Sequence, residues 1–148
     1  MVFTRLQQVC VTSPYEAIAA LNTAAGGRST VNAGAGLHGR TAEPAMAAAV
    51  AAAAAADAVV FVIGGDWGIE HEGMDRTTIA LPGDQATLVS RVKSAVGAGV
   101  PVVVVMVHGG SMDISEVIES ADAVVDAFCA CAAAPALLSL PFTACPVC

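Results

Sequence analysis

The sequence predicts an α/β fold built on a parallel sheet, and three observations carry that prediction. Val59–Ile63 (VVFVI) and Pro101–Val107 (PVVVVMV) are short, continuous, β-branched runs, and each stops at a loop containing paired glycines. Between them, from Asp84 to Gly97, the spacing becomes helical: Leu88, Val92 and Ala95 form one stripe, flanked by Val89 and Val96. The second run is apolar on both faces, as a central parallel strand must be. Alternation of this kind implies βαβ units with right-handed crossovers.

The elements follow in chain order. Ser13-Pro14 precedes a short helix over Tyr15–Leu21: Ser13 can cap it, Pro14 suits the first turn, and Glu16 complements the helix dipole. Gly26-Gly27 ends it, Ser29–Ala33 leans towards strand, and Gly34–Gly39 is a glycine-rich loop. Thr41-Ala42-Glu43-Pro44 opens an alanine helix reaching to about Ala56. After the first strand comes a polar loop, then the Asp84 helix, which Gly97 closes. His108-Gly109-Gly110-Ser111 follows the second strand, Asp113–Glu119 is a short helix, and Ala123–Val125 a further strand. No helix or strand pattern is readable after Phe128, so residues 1–128 form the domain and 129–148 an irregular tail rich in Ala, Cys and Pro.

Composition narrows the function classes. A chain of 148 residues is one domain's worth, and with 56% hydrophobic but only 4% aromatic residues its core must be Ala/Val-rich. Net charge −7 argues against nucleic-acid or anionic-membrane partners, which call for Lys/Arg clusters, and suits neutral substrates. The window Pro44–Ile63 has the length of a membrane span, yet it is largely Ala and contains Asp57, at a cost of roughly 2.5–3.5 kcal/mol. It reads instead as a helix followed by a strand. The N-terminus lacks the long apolar core of a signal peptide. Cys129, Cys131, Cys145 and Cys148 crowd the last twenty residues, apart from Cys10. Their C-x-C and C-x-x-C spacing fits zinc poorly, and free thiols are preferred to either a zinc site or a disulfide.

The loop between the first strand and Pro82-Gly83 concentrates the chemistry. Asp66, Glu70, His71, Glu72, Asp75 and Arg76 fall within eleven positions, at the strand end where open α/β sheets place ligands. Neighbouring carboxylates raise one another's pKa, which is one route to a general acid near neutral pH. Arg76 beside Asp75 can form a charge-assisted pair that braces the loop. Trp67, the single tryptophan, can offer a stacking face to a sugar ring, and His71 can orient a carboxylate. Solvated acids with a structural ion pair would look much the same. A metal site built from Glu70, His71, Glu72 and Asp75 is weaker, because Gly68 and Gly73 disfavour the helix that would put residues four apart on one face. Gly64-Gly65 followed by acids has the wrong charge for a phosphate cradle, and GxGxxG is absent. His108 reads as a loop or core histidine.

These residues also carry a resemblance. Val59–Gly65, then Ile69-Glu70-His71-Glu72-Gly73-Met74-Asp75-Arg76, then Leu81-Pro82-Gly83-Asp84-Gln85 resemble the C-terminal α/β sandwich domain of glycoside hydrolase family 3. The β-xylosidase type, with I-E-x-E-G-x-D-R leading into L-P-G-x-Q, is the most similar. Pro101–Val107 with Gly109-Gly110-Ser111-Met112-Asp113, and Ser13–Ile18, resemble further motifs of the same domain. The resemblance implies a three-layer α/β sandwich on a mostly parallel, flavodoxin-like sheet, incomplete relative to the family domain. It implies retaining hydrolysis of β-linked xylosides or glucosides, with no cofactor, and a barrel domain as the partner that carries the nucleophile. Two carboxylates about 5–5.5 Å apart perform that reaction. The motif match puts the acid/base on Glu70, with Glu72 as fallback. Asp66, Trp67 and His71 then face substrate, and Asp75 and Arg76 brace the loop. After Asp126-Ala127-Phe128 this sequence departs from the family pattern and reads Cys129-Ala130-Cys131-Ala132. Without a barrel in these 148 residues, the isolated chain is expected to be inactive. The competing expectation is a sugar-binding or interaction module without catalysis.

Overall fold

The computed structural model describes residues 12–128, which divide into two units, 12–31 and 32–128. All five cysteines, and the tail expected from residue 129 onward, lie outside the described residues.

The first unit is helix α1, Pro14–Ala24. Its start is the one the sequence encodes. Ser13 Oγ accepts from the Glu16 amide at 3.2 Å, and the Glu16 carboxylate accepts from the Ser13 amide at 2.8 Å. This reciprocal box satisfies two amides that a helix start leaves free, and the Ser13 amide holds the Glu16 carboxyl below its ordinary value. The strand-leaning stretch after it forms no strand. Ser29 Oγ accepts from the Asn22 side chain at 2.9 Å, a local bond that competes with sheet pairing.

The second unit is a βαβ assembly. Its elements are α2 (Glu43–Ala54), β1 (Val59–Gly64), α3 (Gln85–Ala95), β2 (Val102–Val107), α4 (Ser115–Ser120) and β3 (Ala123–Asp126). The strands lie in the order β1-β2-β3, all parallel, with Val59 opposite Val102 and Val104 opposite Val124. The fully apolar β2 is therefore central, where both its neighbours shield it. The chain has the parallel α/β sandwich that the sequence predicts.

Alternation along the strands decides what is buried. Phe61 and Ile63 join Val104 and Met106 on one face, packed against Val89 of α3 and Val117 of α4. Met46, Ala49 and Ala53 of α2 meet Leu88 and Val92 of α3 beside them. Within residues 32–128 the opposite face carries Val60 and Val62, exposed at 43% and 46%. Helix α2 ends two residues before the alanines do. Ala55 and Ala56 instead turn back onto the Ala52 and Ala53 carbonyls, which lets the Val59 amide reach the Pro101 carbonyl at 2.9 Å and sets the register of β1. Helix α4 starts two residues late. Asp113 accepts from both the Ser115 amide (3.0 Å) and hydroxyl (2.6 Å), forming a turn ahead of the helix. Among the described residues no helix is long and apolar enough to cross a membrane.

The exit of β1 is the most constrained point. Gly64 has φ 143°, and a Cβ there would overlap the Val107 carbonyl, so only glycine fits. The Gln85 side chain, 3% exposed, covers that peptide. Its Oε1 accepts from the Gly64 amide at 2.8 Å, while Nε2 donates to the Gly64 carbonyl at 2.8 Å and the Pro82 carbonyl at 2.9 Å. At the far end of α3, Lys93 donates to both Asp122 oxygens at 2.6 and 2.7 Å, and Asp122 also accepts from the Val102 amide at 2.8 Å.

Two outcomes follow. Gln85→Leu keeps the volume but leaves the Gly64 amide and carbonyl buried without partners, and should cost about 2–4 kcal/mol. Thermal unfolding followed by circular dichroism would register that as a drop of several degrees in Tm. Lys93, and after it the Val102 amide, hold the Asp122 carboxyl below its ordinary 3.8. A depressed folded value gives a contribution that is complete above that ordinary value and lost as pH falls through the lower one. Asp122→Asn should therefore lower Tm across the neutral region and leave the acid end nearly unchanged, which flattens the acid limb of a plot of Tm against pH.

Candidate active site

Because β1, β2 and β3 run parallel, the loops leaving all three emerge at one edge of the sheet. The β1 loop begins with a single turn. The Ile69 and Glu70 amides donate to the Asp66 carbonyl at 3.0 and 3.2 Å, and Asp66 Oδ1 accepts from the Gly68 amide at 2.9 Å. A tight hairpin follows, in which His71 and Met74 exchange backbone bonds of 2.9 and 3.3 Å around the corner Glu72-Gly73. Gly73 has φ 84°, the left-handed conformation that the third position of a type II turn requires. The returning strand is tied down where the Asp113 amide donates to the Ile79 carbonyl at 2.7 Å. Asp113 itself is held below its ordinary pKa, first by the Ser115 hydroxyl.

This backbone sorts the predicted side chains into three groups. Asp66, Trp67 and His71 come together: the Trp67 and His71 rings stack at 5.1 Å and 19°, and His71 Nδ1 bonds the Trp67 carbonyl at 2.9 Å. The His38 imidazole stands 3.9 Å from Asp66. Trp67 is 73% exposed, so its outer face is open. Glu70 turns the other way and lies half-buried over Gly110 in the β2 loop, where any Cβ would overlap its carboxylate. Glu72 stands exposed at the hairpin corner.

Arg76 and Asp75 behave differently from expectation. Among the described residues no ion pair joins them. The Arg76 guanidinium donates instead to the Ala80 carbonyl, so the brace runs from side chain to backbone. Its other terminal nitrogen, Nη1, is buried with no protein partner among the described residues. Arg76 also lines a hollow of about 410 Å³ bounded by Leu37, His38, Ile69, Leu81 and Pro82, to which neither Glu70 nor Glu72 contributes. Among the described residues no three His, Cys, Asp or Glu side chains gather closely enough to share a metal ion.

Sequence reasoning did not single out the floor beneath Glu70. Gly110 provides it, and His108 holds Gly110: its Nδ1 lies 2.6 Å from the Gly110 carbonyl, and its Nε2 3.1 Å from Asp126 at the end of β3. The available signal was position, since each of these residues stands at or just beyond the end of a strand.

Known proteins resemble the chain over the same region. The family model described as glycosyl hydrolase family 3 C-terminal domain matches residues 4–137. The chain is 51% identical over 70 residues to β-D-xylosidase 3 of Arabidopsis thaliana, an alignment spanning 47% of this chain and 9% of that enzyme. Among solved structures, a family 3 exo-β-xylosidase (XlnD) in complex with a xylobiose aziridine activity-based probe superposes with a TM-score of 0.71 at 29% identity. That match covers 85% of this chain and 16% of the xylosidase. A β-glucosidase from Erythrobacter marinus has the same fold, with a TM-score of 0.70 at 23% identity over 79% of this chain and 19% of its own. The chain thus spans a small part of the length of each.

The hairpin corner can be probed directly. Gly73→Ala places a side chain at positive φ in otherwise open space, so its cost of about 1 kcal/mol is conformational. Gly73→Asn should cost less, because Asn tolerates that region. The order of melting temperatures, Gly above Asn above Ala, checks the turn.

Proposed function

The chain belongs to glycosyl hydrolase family 3, and from that premise we propose that it supplies the acid/base loop of a retaining β-glycosidase of the β-xylosidase type. The domain in this reading is residues 1–128, with 129–148 as a divergent tail. Glu70 is the proposed acid/base. The observation that carries the assignment is its setting: a half-buried carboxylate at the carboxyl edge of the parallel sheet, resting on Gly110, with no hydrogen bond or ion pair to another side chain among the described residues. A carboxylate without an internal partner is free to exchange its proton with a substrate.

The chemistry proceeds in two steps. In the first, Glu70 protonates the departing glycosidic oxygen while a nucleophilic carboxylate attacks the anomeric carbon from the opposite face. In the second, Glu70 removes a proton from the water that releases the sugar. The nucleophile would come from a barrel domain, so the 148 residues expressed alone should turn over little. The substrate is a β-linked xyloside or glucoside. Trp67 would stack on a sugar ring, with Asp66 and His71 beside it for hydroxyl contacts. Arg76, through the Ala80 carbonyl, keeps the loop in shape, and Asp75 next to it faces solvent. The acidic surface matches a neutral sugar and neither nucleic acid nor a membrane.

One observation favours a second assignment within this reading: Glu72, at the hairpin corner, is the more exposed of the two glutamates. Another favours a sugar-binding module: the open Trp67 face needs no nucleophile to hold a ring.

Turnover of an aryl β-xyloside by the chain supplied with a family barrel domain in trans separates these. Glu70→Gln should lower kcat roughly 10²–10⁴-fold. A loss confined to Glu72→Gln would move the role to that residue. Xylose quenching Trp67 fluorescence, with no turnover under any condition, would favour the module.

A further inference from the structure

We propose that His108 is a positioning residue for Glu70, acting through Gly110 and itself held by Asp126. The inference rests on the reading of Glu70 as acid/base, and it adds a second tier to that site drawn from the other two strands.

His108 is the first residue beyond β2 and is 8% exposed. A histidine this buried must have its ring nitrogens satisfied. Nδ1 lies 2.6 Å from the Gly110 carbonyl, which can only accept, so Nδ1 carries a hydrogen. Nε2 lies 3.1 Å from the Asp126 carboxylate, which also accepts. With Asp126 ionised, both bonds form together when both ring nitrogens carry hydrogen, so the arrangement suits an imidazolium paired with Asp126. The Phe128 ring meets the imidazole edge-on at 5.5 Å and 82°. The Phe128 amide donates to the same Asp126 oxygen at 2.8 Å, and the His108 amide donates to the Phe128 carbonyl at 3.3 Å. The imidazole is therefore fixed from β3.

What it fixes in turn is the Gly110 peptide. The short Nδ1 bond pins that carbonyl and sets where the Gly110 Cα sits. The Glu70 carboxylate lies against that Cα so closely that a Cβ added there would displace it. The Glu70 carboxylate has no hydrogen bond among the described residues, so the surface beneath it is what selects its rotamer. Of the titratable groups, Asp126 on β3 bonds the imidazole directly, and Glu70 on the β1 loop lies against the Gly110 that the imidazole holds. Protonation of the ring should thus be felt at Glu70 and not at Glu72.

The test uses the full 148-residue chain and needs no turnover. The ¹³C shift of each Glu side-chain carboxyl is followed against pH, with the ¹⁵N shifts of the His108 ring recorded alongside. Glu70 should show its own step and a second one coincident with the ring's titration, whereas Glu72 shows one step only. His108→Gln should abolish the second Glu70 step. A single Glu70 step that His108→Gln leaves unchanged overturns the proposal. If His108→Gln does not fold, Asp126→Asn decides: it removes the ring's anionic partner and should move the ring's titration to lower pH. The second Glu70 step must move with it, and a step that stays in place overturns the proposal equally. The acid/base assignment stands or falls separately, on Glu70→Gln in the turnover assay.

Discussion

One carboxamide closes the loop on which the site is built. Residues 65–84 leave the sheet at Gly64 and pass Pro82 into α3, and Gln85 grips both points with three hydrogen bonds. The Gly64 peptide needs this because β1 ends there inside the protein, where an unpaired amide or carbonyl is costly. Gly64 in turn must be glycine, since its conformation and its approach to Val107 leave no room for a side chain. With root and return held by the same side chain, the residues at the tip carry little structural duty. Glu70, Glu72 and Trp67 can be spent on chemistry.

Parallel topology does the rest of the gathering. Three strands running the same way bring three loop starts to one edge without any loop crossing the sheet. The β1 loop contributes the carboxylates and the aromatic face, the β2 loop contributes the glycine floor, and β3 ends on the carboxylate that holds His108. Each contribution is small, and the site is their juxtaposition. The Lys and Arg ion pairs of the second unit lie elsewhere: Glu43 with Arg91, and Lys93 with Asp122, join elements at the surface, while the pairs at the edge, His38 with Asp66 and His108 with Asp126, are made by histidines.

Membership of glycosyl hydrolase family 3 gives this arrangement a purpose that the geometry alone does not name. A half-buried glutamate over a glycine is common enough. Placed in the acid-bearing loop of a domain shared with much longer xylosidases, it becomes the proposed half of a two-carboxylate mechanism whose nucleophile would come from another domain.

The sequence by itself determined the strands, the central place of β2, the Ser13 cap of α1 and the stripe of α3, because each of these is a local pattern. Continuous β-branched runs bury on both faces, Ser13 and Glu16 stand three apart, and Leu88 and Val92 share a helix face. It also placed the acids in one loop at a strand end. Only the tertiary structure decided how those acids divide. Glu70 went under cover against a glycine forty residues on, Glu72 went to the corner, and Arg76 took a carbonyl in place of Asp75. The role of Gln85 and the partnership of His108 with Asp126 were equally out of reach, since they join residues 21 and 18 positions apart. Contacts of that span depend on the register and crossover of the sheet, and no periodicity in the chain records them.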